Sequence, residues 1–437
     1  MLEINLHNIK KVHFIGIGGI GVSAIARMLA LRSLGEAGMR ITGSDQNQSL
    51  VTDELEKYGI KVHIGHRAEN LLPDTELVIY TIAIPADNPE RQAAEQLGVP
   101  MMTYPEALGQ ISQTKKTVAI AGTHGKTTTT AMIAQIALAA NLDPTVVVGS
   151  FMFDENNKRT NFIAGTGDLL IAEACEWRRS FLNLSPQILV ITNIDNDHLD
   201  YYKDLADIQS AFIALVQKVP ADGYLICDQS LPNVSSVAAA AKCKVIDYKL
   251  ENTKNLNLLV PGAHNILNAQ AALAAAQTLG ISIDVAVQAL NKFKGTWRRF
   301  EFKGELGGAL VYDDYAHHPT EIKATLAAAK EKFPNKRIIA VFQPHLYSRT
   351  KLLLTQFAES FKDASEVIVA PIYAAREPID PTISHEVLAT AINHFTPARA
   401  LDLKVIPTVL KEELKPDDLV ITIGAGNVCD VADALLS

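Results

Sequence analysis

Cysteine is scarce: 437 residues contain only Cys175, Cys227, Cys243 and Cys429. None forms a C-x-x-C pair or a zinc-like spacing, which excludes a disulfide framework and a cysteine metal cluster and leaves reduced thiols in a cytoplasmic protein as the expectation. Excess positive charge is also missing. Forty Lys and Arg stand against 48 Asp and Glu, a net charge of −8, so no broad basic surface for nucleic acid is expected. The longest apolar run, Val12 to Leu31, is broken by Gly16, Gly18, Gly19, Gly21 and Arg27. It reads as a strand, a glycine turn and a helix, and not as a signal peptide or a membrane span. Low-complexity tracts and repeats of about 20–50 residues are absent.

What is present is a globular composition, 48% hydrophobic and 20% charged, in a chain long enough for two or three domains of about 100–200 residues each. Three blocks emerge, 1–114, 115–297 and 298–437, each opening on a short apolar strand. Alternating strand and helix patterns predict parallel sheets flanked by helices. In block one, Lys11–Ile17, Arg40–Gly43, Lys61–Ile64 and Leu77–Thr81 read as strands. In block two, Thr117–Gly122 precedes a helix from about Thr127 to Ala140, and strands follow at Thr145–Val148, Leu169–Glu173 and Ile188–Ile194. The Ala-rich stretch Asn265–Gly280 predicts a buried or half-buried helix. In block three, Arg298–Gly304 and Ala309–Asp313 read as a hairpin, followed by strands at Arg337–Phe342, Glu366–Pro371 and Leu419–Gly424.

Five motifs carry chemistry. Gly16-Ile17-Gly18-Gly19-Ile20-Gly21 is a G-x-G-x-x-G between strand and helix, suited to a pyrophosphate at a helix N-terminus, with Asp45 placed like a ribose-binding acid. A structural glycine turn and an NAD site remain open alternatives for it. Gly122-Thr123-His124-Gly125-Lys126-Thr127-Thr128 is a phosphate loop: backbone amides cradle phosphates, Lys126 neutralises them, and the Thr127 hydroxyl can ligate Mg²⁺. It departs from the full Walker pattern, with Ile120 where the first glycine would stand. Glu173 and Asp197-His198 fall at strand ends near that loop, a setting for Mg²⁺ ligands as well as for a surface acid and a helix cap. Asp313-Asp314-Tyr315-Ala316-His317-His318 and Gln343-Pro344-His345-Leu346-Tyr347-Ser348-Arg349 also end strands, and their recurrence in one block points to a site.

Taken in order, GTHGKTTT, TNIDNDHLDYY, PGAHNILNAQAA, WRRFE, DDYAHHPTEI and FQPHLYSRT resemble the Mur ligases, from Gly16 to Asn427. The resemblance implies an α/β protein of three domains: a Rossmann-like N-terminal domain for a UDP-sugar, a central P-loop ATPase-like domain with a parallel sheet, and a Rossmann-like C-terminal domain. GIGGIG, ITGSD, DNPE and IYAAREP look like the subgroup that adds the first amino acid, which implies ATP and Mg²⁺ as cofactors, UDP-N-acetylmuramate and L-alanine as partners, and a cytoplasmic monomer or homodimer. On the same ground, Gly16, Gly18, Gly19, Gly21, Asp45, His66 and Asn88 are expected to hold the UDP-sugar. Gly122 to Thr128 would bind the triphosphate, with Lys126 catalytic, and Thr127, Glu173 and His198 would bind the metal, His198 also counting as catalytic. Asn265, Asn268, Arg299 and Asp314 would contact the nucleotide. Tyr315, His317, His345 and Arg349 would face alanine and the reacting carboxylate, with Asp314, His345 and Arg349 counted as catalytic.

Three departures stand out. The lysine that several related ligases carbamylate is replaced by Phe212, as in the alanine-adding subgroup. The run E-A-D-E-S-D becomes Glu173-Ala174-Cys175-Glu176-Trp177-Arg178, and Cys175 is a poor ligand for a hard cation. Leu346 replaces a common arginine, a loss that Arg178 or Arg179 could offset. A short insertion is read at Arg32–Met39. The competing functions are a ligase recycling a whole tripeptide, an NAD(P)-dependent oxidoreductase resting on Gly16–Gly21 and Asp45 alone, and a nucleotide-gated binding protein without turnover.

Overall fold

The computed structural model describes residues 6, 8–33, 39–154, 158–198, 201–251, 253–375 and 377–437. Most of the insertion read at Arg32–Met39 lies outside the described residues, as do Leu199, Asp200 and Arg376. The chain divides into two compact units, Met1–Asn252 with Gln270–Ala289, and Thr253–Ala269 with Leu290–Ser437.

The first unit contains two sheets. One holds β1 (Lys11–Ile15), β2 (Arg40–Asp45), β3 (Lys61–Ile64), β4 (Leu77–Tyr80) and β5 (Met101–Thr103), all parallel, in the order β3-β2-β1-β4-β5. The order reverses beside β1, so the carboxyl ends of β1 and β4 open a crevice. The other holds β6 (Lys116–Ala121), β7 (Thr145–Phe153), β8 (Arg159–Ile163), β9 (Leu169–Glu173), β10 (Ile188–Ile191), β11 (Tyr224–Cys227) and β12 (Lys244–Asp247), in the order β12-β11-β10-β6-β9-β7-β8. Only β7 and β8 pair antiparallel there. Its middle strands are apolar on both faces, with Val118–Ala121 and Ile188–Ile191 fully buried, as a parallel sheet covered on both sides requires. The two layers are joined through the helix Ile20–Ser33. Asn161 on β8 donates to the Ile20 carbonyl and to Ser23 Oγ (3.1 Å), and the buried Arg27 guanidinium donates back to Asn161 Oδ1.

The second unit holds β13 (Glu301–Leu306), β14 (Ala309–Asp314), β15 (Arg337–Phe342), β16 (Glu366–Val369), β17 (Ala398–Ala400) and β18 (Asp418–Ile423), in the order β13-β14-β18-β15-β16-β17. β13 and β14 form the antiparallel hairpin and the rest is parallel. The hairpin's first strand starts at Glu301 instead of Arg298. Arg298 turns away at φ 53° because its buried guanidinium pairs with Asp313 (2.6 Å) and donates to the carbonyls of Gly424 (2.7 Å) and Gly426 (3.0 Å). Strand ends shift for similar reasons elsewhere. β1 stops at Ile15 because the N–H groups of Gly16 and Ile17 both turn to the Ser44 carbonyl. β10 stops at Ile191 because Thr192 and Asn193 bend onto the loop after β6. Strands β5, β8, β11, β12 and β17 go beyond those read from the sequence; all five are three to five residues long, too short for a clear period. Among the described residues, no helix is long and apolar enough to cross a membrane.

Candidate active site

The loop after β6 is shaped by what surrounds it. Gly122 takes φ 131°, and a Cβ there would lie 2.1 Å from Thr192 Oγ1, so only glycine lets β10 press against the loop. Thr192 Oγ1 donates to the His124 carbonyl (2.6 Å), and the His124 N–H donates to Asn193 Oδ1 (2.9 Å). Asp195 Oδ2 lies 3.4 Å from His124 Nε2. The helix Lys126–Ala139 starts at once, so its first N–H groups open towards the loop.

Lys126 folds its ammonium into this loop, donating to the carbonyls of Gly122 (2.5 Å) and Thr123 (3.0 Å) and to Glu176 Oε1 (3.1 Å). Burial by itself would lower its pKa. The carboxylate of Glu176, with Cys175 and Glu173, outweighs burial and raises it, so Lys126 stays charged. Thr127 Oγ1 donates to Glu173 Oε2 (3.0 Å), which also accepts from the Gly149 N–H (2.8 Å). His198 Nε2 lies 3.6 Å from Glu176 Oε1. The structure therefore gathers Lys126, Thr127, Glu173 and His198 at the carboxyl edge of one sheet. Thr127 and Glu173 offer hard oxygen donors beside the glycine loop, with the His198 imidazole near the same edge, a set that fits Mg²⁺. Phe212 packs in the core, edge-on to Phe181 at 5.1 Å.

At the first sheet, the Gly18 N–H donates to Asp45 Oδ2 (2.8 Å). A Cβ on Gly18 would lie 2.9 Å from that oxygen. Gly21 leaves room for the Tyr104 ring, whose Cζ would be 2.4 Å from a Cβ. Asn88 is buried and caps the helix Pro89–Leu97, accepting from the N–H groups of Glu90 and Arg91. His66 Nδ1 meets Ser44 Oγ (3.0 Å), and both are organised by Glu90. This carboxylate, with no exposed surface, accepts from Ser44 Oγ (2.5 Å), Asn70 Nδ2 (2.6 Å) and the Arg67 N–H (3.1 Å), and faces His13 Nε2 at 3.2 Å. Burial would raise its pKa, but the bonds from His13, Ser44 and Asn70 hold it below the usual carboxylate value.

The second unit brings Asp314, Tyr315, His317, His345 and Arg349 together. Asp314 accepts from the N–H groups of Phe300 and Ala316, both 2.8 Å. Burial pushes its carboxyl up to about 6, against Arg299 and those two N–H groups. Tyr315 and His317 meet edge-on at 5.5 Å, His317 and His345 at 5.9 Å, and Arg349 Nη1 lies 3.4 Å from His345 Nδ1. Arg299 sits 5.3 Å over the Tyr315 ring and 3.7 Å from Glu321. Asn265 and Asn268 open the helix Ala263–Thr278 one turn apart, joined at 3.3 Å. Leu346 is 5% exposed at φ 69°, its N–H bonded to the Tyr373 carbonyl, so its side chain is part of the packing.

Reading the sequence missed Glu176, Glu90, Tyr104 and Asn193. Glu176 and Glu90 stood inside quoted motifs, and an acid two residues past a helix-capping Asn gave no hint of five polar neighbours. Asn193 also stood inside a quoted motif, TNIDNDHLDYY, but its partner His124 lies on the loop after a neighbouring strand, and Tyr104 gave no usable signal, since it packs on Gly21, far away in sequence.

Comparison with known proteins adds three family matches in chain order: the Mur ligase family, catalytic domain, at residues 11–116, the Mur ligase middle domain at 120–259, and the Mur ligase, glutamate ligase domain at 298–426. The UDP-N-acetylmuramate–L-alanine ligase of Clostridium acetobutylicum is 42% identical over 98% of both chains. That of Alkaliphilus metalliredigens is 40% identical over the full length of both. Among solved structures, the UDP-N-acetylmuramate–alanine ligase of Thermotoga maritima matches with a TM-score of 0.78 and 28% identity over 98% of both chains. A murein peptide ligase of Psychrobacter arcticus, 23% identical over 98% of both chains, shares the fold with a TM-score of 0.70.

Proposed function

The chain belongs to the Mur ligase family, and from that premise we propose that it joins L-alanine to the carboxylate of UDP-N-acetylmuramate with conversion of ATP to ADP and phosphate. The observation that carries this reading is the likeness to L-alanine ligases, 42% over 98% of both chains. Two separate glycine loops in one unit support it, because a nucleotide sugar and a triphosphate each need a phosphate cradle.

In this reading Gly16, Gly18, Gly19 and Gly21 hold the UDP diphosphate, with Asp45 and His66 beside it and Asn88 fixing the adjoining helix. Gly122 to Thr128 hold the triphosphate. Thr127, Glu173 and His198 hold magnesium, which when bound offsets charge on the phosphate oxygens. The sugar carboxylate attacks the γ-phosphate, giving an acyl phosphate and ADP. The neutral amine of alanine then displaces phosphate and forms the amide. Lys126, kept charged by Glu176, stabilises negative charge as it develops on the transferring group. Asn265, Asn268, Arg299 and Asp314 complete the nucleotide site, and Tyr315, His317, His345 and Arg349 receive alanine. Arg349 can pair with its carboxylate through two parallel N–H bonds.

The test is product mass spectrometry and phosphate release with UDP-N-acetylmuramate, ATP and Mg²⁺, offered L-alanine, glycine, L-serine or the stem tripeptide. The single-alanine adduct is expected. Preferential formation of the tripeptide adduct would move the protein to the recycling ligases.

A further inference from the structure

Trp177, Arg178 and Arg179 directly follow the acidic run that serves Lys126 and Thr127. Arg178 and Arg179 both hold left-handed backbone, at φ 51° and 56°, which residues with a Cβ disfavour. Consecutive outliers of this kind persist only where surrounding structure enforces them, and they cluster at ligand sites.

The two arginines have different surroundings. Arg179 is neutralised, pairing with Asp207 (2.5 Å), donating to Ser210 Oγ (3.1 Å) and lying 5.7 Å over the Tyr202 ring. Arg178 is exposed and, among the described residues, has no carboxylate within ion-pair distance. Its guanidinium stacks 4.7 Å over the Trp177 ring, and Nη1 is 3.5 Å from the Ile82 carbonyl, the outer limit of a hydrogen bond. Stacking uses the face of the guanidinium and leaves its edge donors available.

Its position narrows the ligand. Ile82 follows Thr81, whose methyl group lies 2.5 Å from where a Gly16 Cβ would be. Arg178 therefore stands near the carboxyl edge of the first sheet, close to the first glycine loop. The segment leading to it is anchored at the second loop, through Glu173 to Thr127 and Glu176 to Lys126. A substrate whose diphosphate rests on the first loop, and whose carboxylate reacts at the second, carries that carboxylate past this segment.

We propose that Arg178 binds the carboxylate arm of the UDP-linked sugar and makes the site select a carboxylate-bearing nucleotide sugar over a neutral one. This rests on the function proposed above. It differs from the expectation that Arg178 or Arg179 offsets a lost cation for alanine. Arg179 is already paired with Asp207, and the alanine carboxylate is left to Arg349.

Calorimetry on the full chain, with UDP-N-acetylmuramate and with UDP-N-acetylglucosamine, which lacks the arm, reads the proposal directly. The parent protein should prefer the former. Arg178→Ala should shrink that preference by about tenfold or more, the worth of a charge-assisted bond, while affinity for UDP-N-acetylglucosamine and KM for alanine hold. Arg178→Lys should retain part of the preference. Arg178→Gly should lose it yet melt no lower than the parent, because glycine accepts the left-handed backbone without strain. An undiminished preference in Arg178→Ala, an equal loss for both sugars, or a rise confined to the alanine KM would overturn the assignment to Arg178. A parent protein that binds neither sugar, or shows no preference, would instead overturn the proposed function and this assignment with it.

Discussion

The two glycine loops of the first unit use one backbone device with different electrostatics. Each leaves a strand of a parallel sheet, includes a glycine at positive φ (Gly16 at 74°, Gly125 at 84°) and enters a helix. The first loop has no charged side chain in the opening turn of its helix; its Gly18 N–H rests on Asp45, and the nearby acid Glu90 is buried in a hydrogen-bond network. The second puts Lys126 at the start of its helix and encloses it with Glu176. Holding a diphosphate takes oriented N–H groups and a helix terminus. Transferring a phosphoryl group takes a cation where charge develops, kept ionised despite burial.

The largest break in this comparison should come from Lys126→Ala. Phosphate release should fall on the order of 10³-fold, as expected when a preorganised charge leaves a closed site. UDP-N-acetylmuramate binding, measured by calorimetry, should survive. Near-normal turnover in the folded variant would show that the second loop is no different in kind from the first.

Gly18→Ala tests the reverse. Its Cβ would stand 2.9 Å from Asp45 Oδ2 and 3.2 Å from Thr52 Cγ2, displacing the loop. UDP-N-acetylmuramate affinity should drop by about tenfold to a hundredfold, with ATP affinity unchanged. Equal weakening of both nucleotides would mean that the loops do not act separately.

The smallest effect sharpens the picture of the first loop. Glu90 has its pKa lowered on folding, so its ionised form favours the native state. That contribution is present above its unfolded value, near 4.5, and is lost as pH falls through the folded value. Glu90→Gln should cost about 1–3 kcal/mol at pH 7, and the gap between parent and variant melting temperatures should narrow as pH falls below about 4.5. A gap independent of pH would mean that Glu90 acts by shape alone.

Much of the fold was legible because its signals are local. Strand, glycine loop and helix follow one another within a few residues in both loops, and the apolar strands and the Ala-rich helix Ala263–Thr278 stand out by pattern. The site was legible wherever a motif sits at a strand end, as with Lys126, Asp314 and His345. It was illegible where a partner comes from another strand. Asn193 meets His124 only because β10 lies beside β6. Leu346 read only as the loss of an arginine; that its side chain is buried, with its backbone N–H tied to the Tyr373 carbonyl, is a tertiary fact.

The sequence alone determined the family, the order of the three sheets and the residue types at each glycine loop, because backbone conformation there depends on adjacent residues. Only the tertiary structure decided that Glu176 faces Lys126, that five polar groups converge on Glu90, and that Arg179 is paired with Asp207 while Arg178, among the described residues, has no carboxylate within ion-pair distance. The reason is geometric: crossover connections bring together strand ends far apart in the chain, and which charges then meet follows from strand order and burial, which no local pattern encodes.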